Sequence, residues 1–457
     1  MKVTYTICKA LTFLILCSCV VFSGAAAPAQ DDAIGVVLEI LKGDDEEMQA
    51  VAIAMVKDMA GTDVTEALAK ELPNLSARSQ VMLLSALSDR GDAAALPAVS
   101  AAAKAEDPSV RVAAFRALGQ LGGASSVELL AQAAATTTSE ERKAARDSLY
   151  RLRGADVDQT ILAAIPKAEP KVRVELINAV GERNIRQGVG ILLGTAKDSD
   201  RKVRIQSLRV LKGVAGPSDM PALVDLLIHA QSTSDRNEAQ KTVAAVAHKI
   251  EDENRQAAAV LAVLPKVKPI PSRCSLLGVL GKIGDNTALP VLIAALKDEN
   301  TEVQTASIRA LSEWPTPKPI NDLLKVAEGS DNKVHRILAL RGFVRLLGLG
   351  SERSAEELLE MYKKAMRLAP DVGEKRRVLS GLGNVKSPAA LKIAASYLDD
   401  KSLSREAGSA AVKIASGICD DFPKEAADVL KKIVAQTKET DPLRGRAQEV
   451  IDKIGQP

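Results

Sequence analysis

The chain has 457 residues, which at about 150 residues per domain would suggest three globular domains. It is 46% hydrophobic but only 2% aromatic, so Ala, Leu, Val and Ile carry the apolar content. That composition suits closely stacked helices and excludes aromatic-lined pockets, and the formal net charge of +3 is close to balanced.

Residues 1–29 read as a signal peptide. Lys2 and Lys9 give a positive start, and Ala10 to Phe22 is an apolar run too short for a comfortable ~20-residue membrane span. Ala27-Pro28-Ala29 then offers an A-x-A cleavage site before Gln30-Asp31-Asp32. Two other readings stay open. One is an uncleaved N-terminal anchor. The other is a lipoprotein signal, in which Leu16-Cys17-Ser18-Cys19 is a lipobox-like run and the chain is lipid-anchored through Cys19. Against the last, Val20-Val21-Phe22 continues the apolar run where a polar tether would be expected. Every reading exports the chain, to the periplasm or out of the cell, and after cleavage no transmembrane span is expected.

Cleavage leaves two of the five cysteines, Cys274 and Cys419. They lie several repeats apart, and stacked helices sit ~8–10 Å from one another. A disulfide needs Cα atoms within ~7 Å. Two free, core-facing thiols are expected. Charge is uneven: residues 31–107 hold 15 acidic and 6 basic side chains, a net of −9, and the remainder is about +10. Solvated polar faces explain this; so would a bipolar surface that orients a partner, or head-to-tail contact between copies.

From Asp32 onward the pattern repeats. Ser275 to Leu311 displays the unit. One helical apolar stripe, Leu276, Leu277, Leu280 and Ile283, meets Gly281 and Gly284; the turn Asp285-Asn286-Thr287 follows; a second stripe runs from Leu289-Pro290 to Leu296; and the first restarts at Val303. Taking Leu280 as a register mark, equivalents fall near Lys57, then at Leu87, Leu118, Tyr150, Val180, Leu211, near Val246, at Leu311, near Val344, at Leu382, near Lys413 and at Ile451. Steps of 30 to 32 residues dominate, the period of a two-helix repeat. Asp107-Pro108 and Asp441-Pro442 supply an N-cap and a first-turn proline. Gly91, Gly122 and Gly284 sit where a helix is expected to stop in a left-handed residue.

The segment Val110-Arg111-Val112-Ala113-Ala114-Phe115-Arg116-Ala117-Leu118-Gly119-Gln120-Leu121-Gly122 resembles the helix of HEAT repeats, in the short, phycobilisome-lyase-like subclass. Val172-Arg173, Val203-Arg204 and Leu280-Gly281-Lys282-Ile283-Gly284 resemble it too. The resemblance implies an all-α fold: a right-handed α-solenoid of about 13 two-helix repeats. It also implies a ladder arginine at one position of each repeat, pairing with turn aspartates of the same or the next unit. Seven residues before the register marks stand Arg111, Lys143, Arg173, Arg204, Arg273, Lys375 and Arg444, with Arg336 and Arg405 one residue off. Asp107 with Arg111 and Asp200 with Arg204 have helical spacing for such pairs. A second column, Arg116, Arg209 and Arg309, is the candidate partner-binding stripe of a concave face.

Two places break the rhythm. Pro265, Pro269 and Pro271 cluster, so residues 251–272 read as a proline-rich joint between an N-terminal array, 30–250, and a C-terminal array, 273–457. Gly348-Leu349-Gly350 leads into a longer helix from Ala355. Trp314-Pro315-Thr316-Pro317-Lys318-Pro319 reads as a stiff packed turn. Asp441 to Ile454 supplies one helix and no second, a terminal cap.

Chemistry is sparse. His229, His248 and His335 form no metal-binding motif, and exposed structural roles are expected for them. No nucleophile motif, C-x-x-C or phosphate loop is present. No cofactor, metal or catalytic residue is called for. Export, and the lack of aromatic interleaving, argue against nucleic acid. The reading is therefore an exported, non-catalytic scaffold that binds one or more protein partners along its concave face. The alternative is an enzyme-accessory or lyase-like protein with a small-molecule or polymer site in the groove; a cleft joining His229, His248 and turn carboxylates would favour it.

Overall fold

The computed structural model describes residues 30–56, 59–350 and 352–455; the signal segment and the register position at Lys57 lie outside them. Among the described residues there are twenty-six α-helices and no strand, in thirteen successive pairs. The fold is an all-α solenoid. The chain divides into two compact units between Val210 and Leu211.

In most pairs the first helix is short, as in Leu96–Ala102, Val189–Thr195 and Leu289–Ala295. The second is longer, as in Pro108–Leu121, Pro170–Glu182 and Ile270–Ile283. Turn chemistry explains the boundaries. Asp107 accepts from the backbone N–H of Ser109 at 2.7 Å and of Val110 at 3.3 Å, with Pro108 in the first turn. Ser76, Asn300, Asn332 and Asp441 cap their helices in the same way. Asp285 is buried and used twice: Oδ1 accepts from Thr287 N at 2.9 Å, and Oδ2 from Ala257 N, in the preceding pair, at 2.9 Å.

In the first unit, second helices pack on one another in order: Ala77–Arg90 on Pro108–Leu121, and Pro108–Leu121 on Ser139–Arg151. Leu87, Leu118 and Val180 are fully buried in the seams. Each such burial contributes roughly 1.5–3 kcal/mol. The same stacking runs through the second unit from Thr233–Ala247 to Lys333–Leu347, where Val246, Leu280 and Leu311 are fully buried. At Tyr150 and Val344 the register slips by one residue. Leu149 and Phe343 are the buried residues there. Lys413 is exposed, between buried Val412 and Ile414.

Gly91 and Gly284 end their helices with φ of 72° and 73°, the left-handed region. Gly122 does not: its φ is −75° and its backbone extended. What that position needs is space, because a Cβ would collide with the Leu118 carbonyl and lie 2.5 Å from Ser126 Oγ.

Residues 251–272 contain the short helix Ala258–Val263, a turn at Leu264–Lys266 and the start of Ile270–Ile283. Ala355–Leu368 is the long first helix expected after the glycines, opened by a capping box between Ser354 and Glu357. Trp314 is fully buried in its proline turn. The terminal helix is not a lone cap. Pro442–Ile454 is the second member of the last pair and packs on Pro423–Gln436.

Candidate partner-binding site

The basic column resolves into two sets of joints. At the fourth position after the N-cap of several second helices, a side chain reaches back to the carbonyls of its own inter-helix turn. Arg111 Nη1 donates to Ala105 O at 2.7 Å and Glu106 O at 2.6 Å. Arg173 donates to Ile165 O and Ala168 O, at 3.0 and 2.8 Å, and Arg204 to Asp198 O and Ser199 O, both at 2.9 Å. Arg444, three residues after its cap, donates to Val434 O at 2.5 Å and Thr437 O at 3.0 Å. These orphan carbonyls end the first helix, and the donors satisfy them. The cap carboxylates Asp107 and Asp200 instead accept from backbone N–H groups.

The acidic partners of the column come from the next pair. Arg111 makes a two-pronged contact with Glu141, Arg173 pairs with Asp198, and Arg273 with Asp298 at 2.5 Å. The hydrogen bonds from Arg111 hold the Glu141 carboxyl below its ordinary range. Asp298 is lowered too, by the Asn300 backbone N–H first and Arg273 second.

Part of this ladder lies outside the basic column. Gln49, Gln80 and Gln304 occupy the same position and donate to Leu41 O, Leu75 O and Asp298 O. Arg236 does so as well, to Ala230 O at 3.0 Å. A second ladder joins consecutive second helices. Arg90, Arg183, Lys249 and Arg345, at the ends of second helices, reach back to carbonyls at the end of the previous second helix. Arg183 Nη1 lies 2.8 Å from both Tyr150 O and Leu152 O, and Lys249 Nζ 2.6 Å from Gly213 O. The available signal was a base three residues after Leu87, Val180 and Val246.

The three candidate binding arginines differ. Arg116 is exposed and paired with Glu140 at 2.6 Å. Arg209 is exposed on Arg201–Val214. Arg309 is exposed and, among the described residues, has no ion-pair partner. Arg309 stands over a groove of about 350 Å³ between three consecutive second helices, lined also by Arg236, Asn237, Gln240, Cys274 and Glu313.

The histidines do not converge. His229 follows the first helix of its pair and His248 follows the second; since paired helices are antiparallel, these are opposite edges. His335 departs from the exposed expectation. It is buried, with Nε2 2.9 Å from Thr305 Oγ1, because its place in the first turn of Lys333–Leu347 faces the preceding second helix. Both cysteines are free; Cys419 is buried, while Cys274 is only half-buried in the groove. Among the described residues no group of three or more His, Cys, Asp or Glu could hold a metal ion, and no helix is long and apolar enough to cross a membrane.

The family profile described as HEAT repeats matches residues 65–149, 158–244 and 257–343, more than half of the chain. The chain belongs to the HEAT-repeat family. No curated protein matches its sequence. Among solved structures it is similar to Kap121p bound to Ste12p, with TM-score 0.56 and 12% identity over 92% of this chain and 52% of that one. Kap121p bound to RanGTP gives 0.53 and 13% over the same shares. Kap95p, in a structure concerning its binding to RanGDP, gives 0.50 and 10% over 93% and 67%. The HEAT array here spans about half the length of Kap121p. At these identities the likeness is one of fold.

Proposed function

We propose that this HEAT array is a non-catalytic protein-interaction scaffold of the periplasm or cell envelope, holding a partner along the face built by its second helices. The observation that carries the reading is Arg309: an exposed, unpaired cation over a groove between three successive second helices. Most neighbouring arginines are consumed by structural joints. Kap121p, a protein-bound array of the same fold, supports a protein as the partner. The separation of His229 from His248 favours the scaffold over a lyase-like site. Export rests on the pattern of residues 1–29.

Site-specific photo-crosslinking in envelope fractions tests the reading. A probe at Gln240 is expected to trap a defined protein, and Arg309→Glu to abolish that adduct. A probe at Val291, on a first helix, is expected to trap none. Equal adducts from both probes, or an adduct insensitive to Arg309→Glu, would refute it. Recovery of the protein only in the cytosol would refute export.

A further inference from the structure

A cleft of about 540 Å³ opens among the last three second helices, Val372–Leu382, Ser404–Ile418 and Pro442–Ile454. Small side chains, Ser380, Ser409, Ala410 and Ser416, leave room between long ones. Arg405, Lys413 and Arg446 bring three cations to it, and Glu406 and Glu449 two carboxylates.

The partners of these groups decide what the cleft lacks. Glu406 is engaged by Arg376 at 3.5 Å, and Lys413 donates to the neutral Asn384 Oδ1 at 2.6 Å. Among the described residues, Arg405 and Arg446 have no ion-pair partner. Elsewhere, arginines of second helices meet buried acids: Arg146 pairs with Glu175 and Arg341 with Glu374, each at 2.5 Å. Two guanidinium forks, an ammonium and three hydroxyls therefore line the cleft, and among its lining residues Glu449 is the one carboxylate not engaged by a neighbouring base.

Donor number narrows the ligand. A carboxylate presents two oxygens with about four acceptor positions. The cleft offers more donors than that, in the fork geometry that suits a phosphate. A phosphate monoester carries about −1.5 to −2 charge and three strong acceptor oxygens. Glu449, which only accepts, would repel a bare anion. It fits a ligand that carries a hydroxyl beside its phosphate.

We propose that this cleft binds a phosphate monoester of a hydroxyl-bearing group. Arg405 and Arg446 grip the phosphate, the serines donate to it, and Glu449 accepts from the adjacent hydroxyl. This site is independent of the partner-binding reading, because Arg309 lies outside the cleft.

Calorimetric titration of the purified protein with glucose 6-phosphate, inorganic phosphate and glucose tests it. Saturable binding of glucose 6-phosphate is expected, weakened about tenfold by Arg405→Gln or Arg446→Gln and unchanged by Arg309→Gln. Glu449→Gln is expected to narrow the preference for glucose 6-phosphate over inorganic phosphate. Binding should weaken as pH falls through about 6, where the monoester takes up its second proton. Arg405 and Arg446 are exposed, so equal thermal midpoints will show that the variants are folded. Absence of saturable heat at millimolar glucose 6-phosphate, binding of glucose alone, or undiminished binding in the double variant would overturn the proposal.

Discussion

Arg111 grips Glu141 of the following helix pair with two nitrogens, Nε and Nη2, each 2.9 Å from a different carboxylate oxygen. Both side chains are about four-fifths covered. Glu141→Gln is expected to cost about 1 kcal/mol at neutral pH, measured by thermal or urea denaturation. The sign of its pH dependence follows from the lowered carboxyl. A depressed native value means that the pair stabilises fully above the unfolded value near 4.5, and that this stabilisation is lost as pH falls through the native one. The difference between wild type and variant should therefore close in acid. A difference unchanged at about pH 2 would contradict the assignment.

Gly281 sits against Ala310 of the next second helix. A Cβ there would stand 2.6 Å from Ala310 Cα, and a backbone atom cannot swing aside. Gly281→Ala is expected to destabilise by about 1–3 kcal/mol through overpacking. Gly445→Ala, where nothing lies within 4 Å, should be neutral or stabilising. Thermal denaturation followed by circular dichroism compares both variants with the wild type.

Two arginines that look alike in sequence should behave differently. Arg183 bonds Asp158 at 2.7 Å and two carbonyls, and is largely covered. Arg183→Met leaves those carbonyls without their donor and should cost about 2–3 kcal/mol. Arg116 and Glu140 are both mostly exposed, and Arg116→Met should change stability by less than about 0.5 kcal/mol. Urea midpoints of the two variants give the comparison directly.

The two thiols should react in sequence. Burial, with Glu302 adding to it, pushes the Cys274 thiol up, so it should alkylate more slowly than free cysteine at pH 8. Cys419, 3% exposed, should remain unmodified until the protein unfolds. Peptide mass spectrometry after iodoacetamide treatment resolves the two sites, and early labelling of Cys419 would contradict its burial.

Helix pairing was legible because it is written in local chemistry. Asp107-Pro108 and Asn300 start helices by capping, and Leu87, Leu118 and Leu280 mark the seam by period alone. The joints were half legible. Arg111 and Arg173 stand out as charges, but Gln49, Gln80 and Gln304 do the same work without charge. Their acceptors are main-chain carbonyls, which leave no trace in composition. Gly122 showed that a glycine after a helix can be selected for space rather than for positive φ. His335 was misread because its environment depends on the neighbouring helix, which a single repeat does not contain. The Arg405–Arg446 cleft was invisible for a related reason: its small residues and its cations are spread over three helices.

The acceptors in both ladders carry a further consequence. Arg183 takes hold of the main chain of residues 150 and 152, and Arg90 of residues 56, 59 and 61; neither contact depends on which side chains stand there. A backbone carbonyl is the same in every repeat. Neighbours are therefore interchangeable at these joints, whereas the Arg111–Glu141 grip requires its own partner. Loss or duplication of one whole helix pair within a unit would hand each donor an equivalent acceptor. Removal of a few residues would leave every donor downstream aimed at the wrong turn. An array built this way can change length in whole pairs and keep its joints.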